Sequence, residues 1–140
     1  MTKKQPPDDL LTNGDYQTLA AIRAALRRFM HFSEDAAKNA GLTPQQHQAL
    51  LTIRAAPEMV LSIGDLADLL LIQPHTASEL ADRLGILGFV ERRPDVKDRR
   101  MMKLHLTHAA EEALRGLSVT HRAELRRLRP LLSELLGKLE

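Results

Sequence analysis

Cysteine is absent from the 140-residue sequence. That absence removes disulfides, thiol catalysis, thiolate metal sites and cysteine redox switching together. Tryptophan is also absent, tyrosine occurs once, phenylalanine three times, and valine with isoleucine fill only nine positions. Strands favour β-branched and aromatic side chains, so little of the chain suits a sheet. No apolar run approaches the ~18 residues of a membrane span, and the opening MTKKQPPDDL lacks the apolar core of a signal peptide. A soluble, cytoplasmic protein with no membrane partner is expected. Also missing are a Ser/His/Asp spacing, paired carboxylates in a predicted cleft, and a glycine-rich phosphate loop, since Gly64, Gly85 and Gly88 stand singly. Neither enzymatic activity nor a cofactor is expected. Leucine and alanine dominate what is there. Both are strong helix formers, and the length suits about one domain, so a mainly α protein is expected.

The formal net charge is +2, but it is unevenly spread. From Glu34 to Asp82, Lys38 and Arg54 face seven acidic residues, a local sum of −5. From Arg83 to Lys103, seven basic residues stand against Glu91, Asp95 and Asp98, a local sum of +4. A concentrated positive segment on a near-neutral chain fits a surface that meets a polyanion. Taken alone it fits a solvated charged loop equally well.

Residues 1–9 are polar, carry a Pro-Pro pair and read as a flexible tail. From Leu10 to about Ala40, Leu19, Ile22, Leu26, Phe29 and Met30 recur at helical spacing, and Gly41 ends this first helix. Thr43-Pro44-Gln45-Gln46 is a capping box that opens a second helix, which Pro57 closes. Val60 and Leu61 suit one short strand before Ser62, which caps a third helix carrying Leu66, Ala67, Leu69 and Leu70. A break at Leu71, Ile72 and Gln73 precedes Pro74, which can start a helix but not continue one. The fourth helix then runs to about Leu87 and stops at Gly88. Two short helices around a tight turn make a helix-turn-helix. Beyond it the period changes: Phe89 to Arg93 reads as a strand, Pro94 to Arg100 as a loop, and Met101 to Leu106 as a returning strand. Thr107 caps a long last helix, which Pro130 interrupts or restarts.

On the fourth helix Ala77, Leu80, Ala81 and Leu84 share one side, leaving His75, Thr76, Ser78, Glu79, Asp82 and Arg83 outward or flanking. A short helix with small polar residues at its outward N-terminal end fits a major groove. Gln73, His75, Thr76 and Ser78 are candidates for base edges or phosphates, and Arg83 for the backbone. An ordinary exposed amphipathic helix has the same pattern. Glu79 is repelled by phosphate unless it accepts from cytosine or pairs internally, and its spacing to Arg83 favours an intrahelical pair.

The hairpin separates these readings. Asp98-Arg99-Arg100, five residues to His105, then Leu106-Thr107 resembles the wing of MarR family winged-helix regulators, Asp-x-Arg, five residues, Leu-Thr. Ser62-Ile63-Gly64-Asp65-Leu66-Ala67 and Asp82-Arg83-Leu84 followed by Gly88-Phe89-Val90-Glu91-Arg92 resemble the family's flanks, and the likeness spans roughly residues 19–120. It implies a mainly α fold with a small β-hairpin wing, a winged helix-turn-helix in residues 41–106, and terminal dimerisation helices in 10–40 and 107–140. It also implies a dimeric DNA-binding regulator, usually a repressor, that reads a pseudo-palindromic operator in double-stranded DNA. Arg100 would enter the minor groove, Asp98 would hold the loop by an ion pair, and Lys97 and Arg99 would reach phosphate. Narrow A·T-rich grooves do attract Arg. Such turns often hold Gly where this chain has Leu71.

By the same resemblance the terminal helices form a homodimer interface, for which Leu19, Ile22, Leu114, Leu125, Leu128, Leu132 and Leu135 are candidates. Seven-residue spacing of Leu114, His121, Leu128 and Leu135 agrees, as does packing within one chain. The family also binds small aromatic or anionic effectors, for which Phe29, Met30, Phe32 and His47 are candidates, with core packing the alternative for the apolar three. The histidines form no tight metal cluster in sequence: His31, His47 and His121 are isolated, and no metal is expected. A winged-helix module using its basic hairpin to meet an acidic protein is the competing function.

Overall fold

A computed structural model describes residues 10–139, so the expected tail at 1–9 lies outside the described residues. The elements are α1 (Asn13–Asn39), α2 (Pro44–Ala55), a 3₁₀ turn (Pro57–Met59), β1 (Val60–Ser62), α3 (Ile63–Leu70), α4 (Pro74–Ile86), β2 (Val90–Pro94), β3 (Met102–Leu106) and α5 (His108–Gly137). This is the mainly helical winged-helix architecture expected. The first helix starts at Asn13 rather than near Leu10 because Thr12 caps it: Asp15 N–H donates to Thr12 Oγ1 at 3.1 Å, and Thr12 N–H donates to Asp15 Oδ2 at 2.8 Å. The Thr43–Gln46 box opens α2 with both of its reciprocal bonds. Ser62 accepts from Asp65 N–H at 3.1 Å and opens α3.

Two features differ from the sequence reading. Val60–Ser62 does not stand alone but pairs antiparallel with β3, so the hairpin becomes a three-stranded sheet of order β1-β3-β2. Pro130 does not interrupt the last helix, which runs unbroken for 30 residues. A proline there removes one backbone donor, and the flanking turns carry the helix past it.

The chain divides into two compact units. One, Ser33–His121, holds the helix-turn-helix and the sheet. The other comprises residues 10–32 and 122–139 of those described. The division falls inside α1 and α5, and Ala37, Ala110, Leu114 and Leu117 are buried in the winged-helix core with Leu50, Ile53, Leu66, Leu84 and Leu104. Leu114 is thus enclosed by its own chain instead of lying free for a partner.

Within this unit the turn between α3 and α4 is tight. Leu71 is the C-cap of α3 at φ 58°, ψ 42°, and is 91% exposed. It adopts the left-handed conformation that glycine takes without strain, at a cost of roughly 1 kcal/mol for a residue with a Cβ. Gly88 ends α4 at φ 78°. Phe89 N–H then returns to the Leu84 carbonyl at 2.9 Å, and the Gly88 carbonyl accepts from Thr107 Oγ1 at 2.6 Å. These bonds fix where the sheet leaves α4 and where α5 begins.

Candidate nucleic-acid interface

In α4, Ala77, Leu80, Ala81 and Leu84 are buried, as their spacing predicts. Packing that face away leaves Gln73, His75, Glu79 and Arg83 exposed and Thr76 and Ser78 half-buried. Gln73 is the N-cap but makes no side-chain capping bond. Thr76, Glu79, Leu80 and Arg83 border a groove of about 430 Å³ with Thr43, Pro44, Gln45 and Gln46 at the start of α2. The expected Glu79–Arg83 pair does not form among the described residues, and both side chains face this groove separately.

The turn at the tip of the sheet is held by two aspartates. Asp95 Oδ2 accepts from Asp98 N–H at 3.1 Å, and Asp95 N–H donates to the Met101 carbonyl at 2.8 Å. Asp98 Oδ1 accepts from Arg100 N–H at 3.1 Å and lies 3.3 Å from Arg100 Nε. Asp98 therefore orients Arg100 without enclosing it: the Arg100 side chain is 93% exposed. Lys97 and Arg99 are exposed beside it. An extended, tethered guanidinium with two more cations at one tip has the chemistry of a groove probe with flanking phosphate contacts.

Two contacts were not legible as local motifs. Arg92 reaches α4, where its Nη2 donates to the Ser78 carbonyl at 2.9 Å and meets Asp82 Oδ1 at 2.7 Å. Asp82, an acid on the outward side of α4, finds its counter-charge there. His47 and His121, isolated in sequence, lie with ring centroids 4.8 Å apart. His121 Nδ1–H donates to the Leu117 carbonyl at 2.6 Å, and its Nε2 lies 2.7 Å from Ser33 Oγ. Burial, and then the neighbouring His121, push the His47 pKa below its ordinary 6.5. His47 is 5% exposed. Phe29, Met30 and Phe32, the other effector candidates, belong to the terminal-helix unit, Phe29 and Phe32 half-buried and Met30 exposed.

Residues 40–101 match the MarR family model. This stretch takes in the helix-turn-helix and the wing tip through Arg100. Over this stretch the chain resembles a MarR-family winged helix-turn-helix. No curated relative matches it. Its MarR fold is similar to that of AbsC, a MarR family transcriptional regulator from Streptomyces coelicolor, with a TM-score of 0.72, 21% identity, and coverage of 91% of this chain and 98% of that one. Sco3205 from the same organism, a MarR family regulator solved in complex with DNA, gives 0.72 at 22% identity, covering 98% and 88%. MepR, a transcription regulator of the Staphylococcus aureus multidrug efflux pump MepA, gives 0.73 at 18% identity, covering 89% and 98%. Within the MarR fold, the DNA-contact candidates Gln73, His75, Thr76, Ser78, Arg83, Lys97, Asp98, Arg99 and Arg100 fall on α4, its N-cap and the wing tip. Among the described residues no helix is long and apolar enough to cross a membrane, and no group of three or more His, Asp or Glu side chains is placed to hold a metal.

Of the dimer candidates, Leu135 is buried within the terminal-helix unit, and Ile22, Leu128 and Leu132 are half-buried. Leu19 and Leu125 are exposed at 43% and 45%.

Proposed function

We propose that the protein is a homodimeric, sequence-specific regulator, a cytoplasmic repressor by type, that reads a pseudo-palindromic operator with α4 in the major groove and the wing in the minor groove. The observation that carries the proposal is the Asp98-oriented, 93% exposed Arg100 at a cationic tip, with the helix-turn-helix's second helix, α4, presenting polar side chains outward in the same unit. The structural likeness to a regulator solved with bound DNA supports it. In this reading His75 and Thr76 meet base edges, Gln73, Ser78 and Arg83 support them, and Lys97 and Arg99 meet phosphate. Residues 10–32 and 122–139 carry the dimer interface, with Leu19, Ile22, Leu125, Leu128 and Leu132 as its apolar surface. The proposal includes a small aromatic or anionic effector, for which Phe29, Met30 and Phe32 in the one unit and His47 in the other are separate candidates.

A salt titration of wild type and Arg100→Ala against a selected and a scrambled duplex tests the proposal. Arg100→Ala is expected to weaken both complexes and to lower the salt slope by about one unit, as for one lost cation. Unchanged affinity and slope on both duplexes would make the wing a protein-facing or purely structural element.

A further inference from the structure

We infer that Arg92 is the positioning residue that sets the recognition helix against the wing, so that major-groove and minor-groove contacts are made together. The inference rests on the DNA-binding reading above and deepens it. Strand alternation gives Arg92 its direction. Val90 and Arg92 lie two apart on β2 and pair with Leu106 and Leu104 of β3. Val90 and Leu104 are buried, and β2 packs on α4, so Arg92 extends from the edge of the core-facing side toward the helix. Glu91 and Arg93 alternate to the other face and pair with each other at 2.6 Å.

From this position Arg92 Nη2 engages the Ser78 carbonyl at 2.9 Å and Asp82 Oδ1 at 2.7 Å, with Ser78 Oγ at a longer 3.4 Å. Ser78 and Asp82 are one helical turn apart, so the guanidinium holds α4 at two heights and opposes both rolling and sliding. The strand that makes this contact leads directly into the Asp95–Met101 tip that presents Arg100. A shift of α4 against β2 would move His75 and Thr76 relative to Arg100, and a duplex that fits one contact set would then miss the other. The Arg92 side chain is 32% exposed in this contact, against 93% for Arg100 at the tip.

The contact is half wet, with the Arg92 side chain 32% and Asp82 62% exposed. Such pairs add little to global stability. A contact also biases a conformational equilibrium by no more than its own free energy. The expected effect is therefore moderate, and it falls on specificity rather than on folding.

The test uses the full chain, a duplex enriched from a random pool and a scrambled duplex, read by fluorescence anisotropy over a salt series. Arg92→Gln is expected to weaken binding to the enriched duplex about fivefold and to the scrambled one less than about twofold, with the salt slope unchanged. Arg92→Lys keeps the charge but loses the planar fork, and is expected to recover only part of the loss. Equal weakening on both duplexes with the slope reduced by about one unit would mean a phosphate contact, and would overturn the inference. Wild-type affinity on both duplexes would overturn it as well. If wild type enriches no duplex, the DNA reading itself fails and this inference with it, an outcome visible before any variant is made. Should Arg92→Gln fail to fold by circular dichroism, Asp82→Asn cuts the same contact from the helix side and is judged by the same criteria.

Discussion

In the winged-helix unit Leu50, Ile53, Leu66, Leu84 and Leu104 are sealed from solvent, whereas in the terminal-helix unit the buried apolar side chains among the described residues are Ala25 and Leu135. There Leu19, Leu26, Leu125 and Leu136 stand 43–58% exposed. The first unit contains a core of its own. The second leaves these leucines open, and in the proposed dimer they form the association surface. The same leucine-rich composition thus serves two ends, and the difference lies in what surrounds each leucine rather than in its spacing. Substitutions at the two kinds of leucine are expected to fail in different ways.

The largest effect is expected in the self-contained core. Leu84→Ala leaves a cavity at a fully buried site and is expected to destabilise the protein by about 3 kcal/mol, read from urea unfolding. In the terminal-helix unit Leu125→Glu is expected to leave helicity intact, convert dimer to monomer by sedimentation and lower operator affinity about 100-fold, because two half-sites are no longer bound as one. If Leu125→Glu unfolds the chain as Leu84→Ala does, the contrast between the units is wrong. On the winged-helix surface, Thr76→Ala is expected to change which base is preferred at a cost of ~1–3 kcal/mol without altering oligomeric state, as measured by site selection.

A smaller effect concerns pH. The His47 pKa is lower in the folded state than the ordinary 6.5, so the unfolded chain binds more protons as pH falls through that value. The stability linked to His47 is complete above pH 6.5 and declines below it. The urea midpoint is expected to fall between pH 7.5 and 5.5, and His47→Gln to flatten that slope; a midpoint rising toward acid would contradict the assignment. The smallest effect is expected at the turn: Leu71→Gly relieves a left-handed residue and is expected to stabilise by about 0.5–1 kcal/mol in thermal melts.

What could be read from sequence was local. The Thr43–Gln46 box, the buried stripe of α4 and the strand–loop–strand wing each depend on neighbours within a few residues, and each took its expected form. The strain at Leu71 was visible as the place where related turns carry glycine. What escaped depends on distant partners. Arg92 and Ser78 are 14 positions apart, and His47 meets His121 across the fold. Glu58 and Met59, both at φ 60° in the turn before β1, carry no glycine or asparagine to announce a left-handed backbone.

If two copies present two α4 helices to one duplex, selection from a pool of random duplexes with the purified protein reads out both half-sites at once. Enrichment of two inverted half-sites with centres about 10 base pairs apart, one helical turn of DNA, is then expected. Enrichment of a lone half-site, or of no sequence at all, would contradict the two-copy reading.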